Sequence, residues 1–284
     1  MSNTYTVGSI WKKITTELST LYSPSEAGII ADMVLMHLLQ YSRVQLRMNS
    51  TQALTSSQTD TLERYLVELL QHRPIQYVLG RADFYGLSFR VNEHVLIPRP
   101  ETEELVALAL QWIGKKPYKV LEIGTGSGCI SISMKKNAPQ LELHSLDISA
   151  TALDVARQNA HDNKVAINFI QADFTDERIW PTLGDFDIII SNPPYIAEQE
   201  RAEMEPHVLD YEPANALFVP DDDVLLFYRK ILAFSLEQRP PAAIFLELNQ
   251  LQAAATKHLF EQHYPHSRIV KDINNNDRIL MVAT

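Results

Sequence analysis

The segment FDIIISNPPYIAEQE, Phe186 to Glu200, ends an apolar run in an amide side chain, two prolines and a tyrosine. A residue before proline is pushed out of the helical region, so Asn192 and Pro193 are held extended. Pro193 and Pro194 have fixed φ and no N–H. The segment is therefore a rigid presenter of acceptors. Asn192 can offer its side-chain oxygen and Pro193 its carbonyl to the two hydrogens of one planar NH2 group, with Tyr195 lying against the plane. A carboxamide and an exocyclic base amine both carry such a group. A turn that merely ends a strand accounts for one proline, but not for Asn-Pro-Pro-Tyr directly after so apolar a run.

A second constellation, VLEIGTGSGCISI, alternates Gly124, Gly126 and Gly128 with Thr125 and Ser127, after a strand that ends near Glu122. Glycines there let the chain turn tightly and a ligand approach closer than a Cβ permits. A dinucleotide fingerprint starting at Gly124 needs a third glycine at position 129, where Cys129 stands. The spacing E-x-G-x-G-x-G resembles instead the first motif of class I S-adenosylmethionine-dependent methyltransferases. Asp147 closes the next strand, nineteen residues after Gly128, where an acid can accept both hydroxyls of a ribose. NAD and S-adenosylmethionine would each use it. Ser149 is the better-placed cap for the following helix, which leaves Asp147 free for that role. The third strand ends in QADF, offering Asp173 to an adenine amino group and Phe174 to the ring face. In an open α/β sheet these strand ends share one rim, outside which the ligand lies.

The elements that must position these residues are legible. SPSEAGIIADMVLMHLL opens with Ser23 as N-cap, Pro24 at N1 and Glu26 at N3, predicting a helix from residue 24 to about 40. TDTLERYLVELLQH repeats the device with Asp60 and Glu63, and sets Leu62, Tyr65, Leu66, Leu69 and Leu70 on one helical face. DFYGLSFRVNEHVLIPR alternates around Gly86 and Asn92-Glu93 as a β-hairpin does. From Glu101 onward helices and strands alternate, which predicts right-handed βαβ units in an α/β fold: a mainly parallel, Rossmann-like sheet with helices on both faces. The expected organisation is a helical domain over residues 1–74, a hairpin linker over 75–100 and a catalytic domain over 101–284.

Composition narrows the function classes. The 25 basic and 35 acidic residues give a formal net charge of −10, which opposes broad binding to a phosphate backbone. Direct nucleic-acid binding is not expected; a protein or small-molecule partner fits better. Cys129 is the one cysteine, so no intrachain disulfide forms. The start MSNTYTVGSIWKKI lacks a secretory signal, and the most apolar run is broken by Asp32 and His37; the reading is a cytoplasmic monomer without a membrane span. His258, His263 and His266 fit no standard metal spacing and read as surface histidines. Asp221 to Asp223 read as acids at a helix N-terminus.

NPPY with E-x-G-x-G-x-G looks like the amino-group branch of the class I methyltransferases. Arg73 to Val106, RPIQYVLGRADFYGLSFRVNEHVLIPRPETEELV, resembles the linker of the release factor glutamine methyltransferases, the HemK or PrmC family. The resemblance spans nearly the whole chain, including a small N-terminal helical domain and DYEPANALF, Asp210 to Phe218. It implies methyl transfer from S-adenosylmethionine, leaving S-adenosylhomocysteine, to the side-chain amide nitrogen of the glutamine in the Gly-Gly-Gln loop of class 1 peptide chain release factors. It implies further that Glu122, Gly124, Thr125, Gly126, Ser127, Gly128, Asp147, Asp173, Phe174 and Asn192 contact the methyl donor, and that Asn192, Pro193, Pro194 and Tyr195 hold the glutamine. The helical domain would dock the substrate. Three departures stand out: Glu122 where Asp is commoner, Asn249 where Gly is usual, and INNND in place of a glycine-containing turn. Because a deprotonated amide is out of reach of any side chain near neutral pH, catalysis on this reading is orientation and electrostatics, without a strong general base. The rival readings are a sister enzyme acting on a glutamine of a large-subunit ribosomal protein, an adenine-N6 methyltransferase of DNA or RNA, and a nucleotide-binding regulator without activity. PRPETE, Pro98 to Glu103, counts against the sister, the acidic balance against the second and the intact Asn192 motif against the third.

Overall fold

The structure, a computed structural model, describes residues 5–237 and 239–284. The chain forms two compact units, one running to Arg81 and including Pro206–Tyr211, the other made of Ala82–Glu205 and Glu212–Thr284.

The first unit holds α1 (Val7–Leu18), α2 (Pro24–Leu39), α3 (Arg43–Met48), α4 (Ser56–Leu70) and α5 (Ile75–Leu79). Ser23 caps α2 as expected, its hydroxyl accepting from the Glu26 N–H. The α4 cap differs from the expected Asp60 and Glu63. The helix starts at Ser56, where Thr55 and Gln58 satisfy each other's N–H groups in a reciprocal box, so Asp60 and Glu63 lie within the helix. Leu62, Leu66 and Leu69 are buried against α1 and α2, while Tyr65 and Leu70 are only partly covered. Buried Asp32 accepts from Trp11 Nε1 at 2.8 Å and Arg43 Nε at 2.9 Å, tying three helices through one paired carboxylate. The contact boundary falls at Arg81, so α5 joins the helices, while most of the hairpin that follows joins the second unit. Tyr211 belongs to the first unit through its hydroxyl, which donates to the Gln71 carbonyl at 2.6 Å.

The hairpin of β1 (Arg81–Phe84) and β2 (Leu87–Arg90) turns on Tyr85 and Gly86, both with positive φ (49° and 73°), the conformation of a tight two-residue turn. In chain order there follow α6 (Pro100–Ile113), β3 (Lys119–Ile123), α7 (Cys129–Asn137), β4 (Glu142–Asp147), α8 (Ala150–Asp162), β5 (Asn168–Gln171), α9 (Trp180–Leu183) and β6 (Ile188–Ser191). The remainder is β7 (Ile196–Ala197), α10 (Pro206–Leu209, of the first unit), β8 (Phe218–Val219), α11 (Leu226–Glu237), β9 (Ala243–Glu247), α12 (Ala253–Glu261), β10 (Arg268–Lys271) and β11 (Asp277–Ala283).

Among the described residues the main sheet has the order β10-β11-β9-β6-β3-β4-β5. The five strands from β9 to β5 are parallel and β11 is antiparallel to its neighbours, the mainly parallel sheet expected of a class I methyltransferase fold. The apolar strands feed both faces by alternation. Val120, Ile188, Ile190 and Phe245 pack with α6 and α7, while Leu121, Ile189, Ile244 and Leu246 pack with α11 and α12. All four residues of β6 are buried, so the apolar run delivers Asn192 from the middle of the sheet. A small parallel pair, Ile196↔Phe218 and Ala197↔Val219, folds the chain after the prolines against the segment 214–219.

Candidate active site

A cavity of about 350 Å³ opens at the carboxyl ends of β3, β4, β5 and β6, wholly within the second unit. Its floor is the loop Gly124 to Ser127, with Asp147, Ile148 and Asp173 on one side and Asn192 to Pro194 on the other. The loop is fixed from beneath by three backbone bonds: the N–H groups of Gly124 and Thr125 donate to the Leu146 carbonyl, and that of Gly128 to the Thr125 carbonyl. Gly128 has a φ of 80°, and a Cβ there would meet Ile132 Cδ1 at 2.8 Å and Ala156 Cβ at 3.2 Å, so only glycine lets α7 start so close to α8. Gly126 (φ 52°) has open space where its Cβ would stand, which leaves its face to a ligand. Fully buried Asn159 ties the loop to the hairpin, donating to the Ser127 and Arg90 carbonyls and accepting from the Arg90 N–H.

Asp147 is not free, contrary to the expectation. Its Oδ2 accepts from the Gly126 N–H at 2.8 Å and its Oδ1 from the Ser149 N–H at 2.9 Å. Each carboxylate oxygen has a further lone pair, so both hydroxyls of a ribose can still be received, but the residue also anchors the glycine loop. Ser149 caps α8 as foreseen, accepting from the Ala152 N–H. Asp173 reaches the cavity wall with Oδ1 engaged by the N–H and hydroxyl of Thr175. Phe174 borders the cavity, yet its ring is 3% exposed and packs on Trp180 and Phe234, so the expected ring-face contact is not presented. The exposed apolar surface there is Ile148, 54% exposed on the cavity wall, which the sequence reading passed over.

At the end of β6, Asn192 Nδ2 donates to Thr102 Oγ1 at 3.2 Å, which leaves Oδ1 as the acceptor of that amide. Thr102 Oγ1 in turn donates to Glu247 Oε2 at 2.7 Å. Asn192, Pro193 and Pro194 line the cavity. Tyr195 does not stand on that wall. Its ring packs against the α11 side of the sheet and its hydroxyl donates to Glu247 Oε1 at 3.4 Å, so the expected stacking on a substrate plane gives way to a bond with a buried acid. Burial, then the Glu247 charge, raises the Tyr195 phenol above its ordinary range. Asn249, one of the departures from the family pattern, bears on this segment: its Nδ2 donates to the Tyr195 carbonyl at 3.2 Å and its Oδ1 accepts from the Leu251 N–H. The INNND turn bears on it too. Asn275 takes a φ of 66°, which Asn tolerates, and the N–H groups of Asn274 and Asn276 bind Asp272, which pairs with Arg278 at 3.1 Å. Arg278 faces Tyr195 and Glu247 and favours the ionised form of Glu247.

Two buried acids flank the site. Glu247, 1% exposed, is pushed up to about 7 by burial, opposed by the Thr102 bond, Arg278 and Tyr195. Glu122, fully buried, is likewise pushed up to about 7 by burial, with the nearby hydroxyls of Ser145 and Ser131 opposing the rise. Those groups stand close without meeting either Glu122 oxygen in good hydrogen-bond geometry, and the acid lies beneath the glycine loop rather than on the cavity wall, against the expectation that it would contact a ligand. Thr125 Oγ1 and Ser127 Oγ are also buried without partners, and both residues line the cavity. Unpartnered hydroxyls beside a crowded glycine turn and an acid at the next strand end suit a ligand with a polar amino-acid end and a ribose. Thr102 and Glu247 were missed in the sequence; the one signal was an acid closing the otherwise apolar run AAIFLE. His258, His263 and His266 are exposed. Asp221 and Asp223 precede α11 by a turn, where Asp221 accepts from the Gln199 N–H and Asp223 pairs with Arg229.

Comparison with known proteins places this arrangement. Residues 9–80 match the PrmC N-terminal domain and residues 104–210 the methyltransferase small domain. The release factor glutamine methyltransferase of Flavobacterium psychrophilum is 40% identical over 275 residues, covering 93% of this chain and 94% of the relative. That of Bacteroides thetaiotaomicron is 40% identical over 266 residues, covering 93% and 95%. Among solved structures, the hMettl16 catalytic domain in complex with MAT2A 3'UTR hairpin 1 shares 14% identity and a TM-score of 0.58, covering 95% of this chain and 91% of that one, a likeness of fold alone. With near-complete coverage by relatives at this identity, the chain belongs to the release factor glutamine methyltransferase family.

Proposed function

We propose that this protein transfers a methyl group from S-adenosylmethionine to the side-chain amide nitrogen of the glutamine in the Gly-Gly-Gln loop of class 1 peptide chain release factors. The observation that carries the reading is Asn192, its Nδ2 taken by Thr102 so that Oδ1 is left to accept, followed directly by Pro193 on the wall of the cavity that the glycine loop floors. Gly124, Thr125, Gly126 and Ser127, with Asp147, would hold the donor, Asp173 and Ile148 bordering its base, while Gly128, expected to touch it, is off the cavity wall and serves the packing of α7 on α8; bound there, the donor supplies an electrophilic methyl carbon. Asn192 and Pro193 accept the two amide hydrogens, raise electron density on the nitrogen and fix its direction of attack. The prolines keep both acceptors in place without conformational search. Tyr195, tied to Glu247 and, through its carbonyl, to Asn249, locks the far end of the segment. The amide proton leaves after transfer, so no strong base is needed. The helical unit is the substrate-docking part of this proposal, and the cytoplasm, where release factors act, is its compartment.

The test incubates the purified protein with methyl-labelled S-adenosylmethionine and, separately, a class 1 release factor, large-subunit ribosomal protein and DNA. Label on the release factor glutamine, and on nothing else, is the expected outcome. Label confined to the ribosomal protein or to DNA would overturn the substrate assignment.

A further inference from the structure

We infer that Thr102 and Glu247 form a polarity relay that sets which end of the Asn192 amide faces the substrate. An asparagine amide has nearly the same shape in its two flipped orientations, but only one offers an acceptor to a substrate NH2 group; the other offers N–H groups and repels it. Nothing in Asn192 itself, or in the two prolines after it, selects between them. The selection comes from outside. Thr102 has one hydroxyl hydrogen, and at 2.7 Å from Glu247 Oε2 that hydrogen is committed to the carboxylate. Toward Asn192 the hydroxyl is left with lone pairs only, so it receives Nδ2 and turns Oδ1 away. The relay keeps this sense when Glu247 is ionised and when it is protonated on Oε1; a proton on Oε2 would donate to the Thr102 hydroxyl and reverse it.

The surroundings hold the acid in place. Glu247 is 1% exposed at the end of a fully buried strand, with Thr102 and Tyr195 on its two oxygens. Its carbonyl accepts from Tyr228 Oη at 3.0 Å. The charged groups that face it are Arg278 from β11 and Glu101 from the first turn of α6. Thr102 is itself 2% exposed and borders the cavity beside Asn192, whereas Glu247 does not reach the wall. The two bonds join α6, β9 and the end of β6, so three elements must be assembled before the amide has a defined sense. Thr102 and Glu247 are thus positioning residues, acting on the reaction through Asn192.

This inference rests on the proposed methyl transfer, and the experiment separates the two. Thr102→Val keeps the shape and removes the hydroxyl; Thr102→Ser keeps the hydroxyl. With release factor as acceptor, kcat of Thr102→Val falls by roughly 10–100-fold, while donor affinity by calorimetry stays within about 3-fold, because the side chain orients the acceptor amide. Thr102→Ser returns kcat to within about 3-fold of wild type, which loss of packing alone would not do. Should the valine variant not fold, Thr102→Ala against Thr102→Ser makes the same comparison. Wild-type kcat in Thr102→Val, or a folded Thr102→Ser no better than Thr102→Val, overturns the relay. If wild type labels a different acceptor, the substrate reading fails, and the variants are read on that acceptor, whose NH2 group needs the same orientation.

Discussion

Glu122→Gln tests the physics of the buried acids most directly. Burial lifts the Glu122 carboxyl from an ordinary 4.5 to about 7, against only weak opposition from Ser145 and Ser131, which do not meet its oxygens in good hydrogen-bond geometry. Below pH 4.5 the acid is protonated folded and unfolded, and contributes no pH dependence. Between 4.5 and about 7 the folded protein keeps a proton that the unfolded chain has released, so stability falls as pH rises. Above about 7 the full cost of holding a buried carboxylate is present, roughly 3 kcal/mol at about 1.4 kcal/mol per pH unit. Glutamine has no such titration. The variant also changes a buried polar contact, but that change is the same at every pH and cancels in the difference between pH 5 and pH 8. Carboxylates held low by exposed ion pairs, such as Asp162 with Arg90, act in the opposite sense and are common to both proteins. Part of that cost is already present at pH 5, so the Tm advantage of Glu122→Gln over wild type is larger at pH 8 than at pH 5 by roughly 2–3 kcal/mol, or about 5–10 °C at 2–4 °C per kcal/mol. The assay is thermal unfolding of both proteins by circular dichroism across that range. Parallel Tm curves would refute the reasoning, since Glu122 would then be ionised at no cost.

Further outcomes follow from the site geometry. Asn192→Ala removes one of the two acceptors, and kcat falls by roughly 10²–10³ with saturating donor; near-wild-type turnover by folded protein would make the segment a structural turn. Asn192→Asp loses the donor to Thr102 and points a carboxylate at the hydroxyl already given to Glu247, so it is impaired along with Asn192→Ala rather than rescued. Asp147→Ala weakens donor binding by about 2–4 kcal/mol, the worth of two charge-assisted bonds, and lowers Tm as well, because the Gly126 and Ser149 N–H groups lose their acceptor; calorimetry and unfolding read the two effects, and unchanged affinity sinks the ribose role. Gly128→Ala forces a Cβ to 2.8 Å from Ile132 at a φ of 80° and costs roughly 2–5 kcal/mol from strain and overpacking. Gly126→Ala carries only the backbone strain, about 1–2 kcal/mol, and denaturant midpoints that fail to rank the two this way contradict the crowding at Gly128.

Local chemistry determined much of this protein from sequence alone. Proline fixes φ and restricts its predecessor wherever it stands, so Asn192-Pro193-Pro194 declared a rigid acceptor pair before any fold was known. Alternating glycines and apolar runs such as Ile188 to Ile190 are likewise properties of short stretches, and they located the loop, the parallel sheet and the shared rim. What sequence could not supply was the partner of each polar atom. Asp147 looked free because its two N–H donors sit in a loop 21 residues earlier and in the turn that follows it. Tyr195 and Phe174 looked available as ring faces until their neighbours were in place, Glu247 52 residues on for the first and Trp180 with Phe234 for the second. Thr102 and Glu247 lie 90 and 145 residues apart from the groups they bind, Thr102 from Asn192 and Glu247 from Thr102. Hydrogen bonding is directional and short-ranged, so only the packed structure decides which oxygen meets which hydrogen, and with it the sense in which Asn192 faces its substrate.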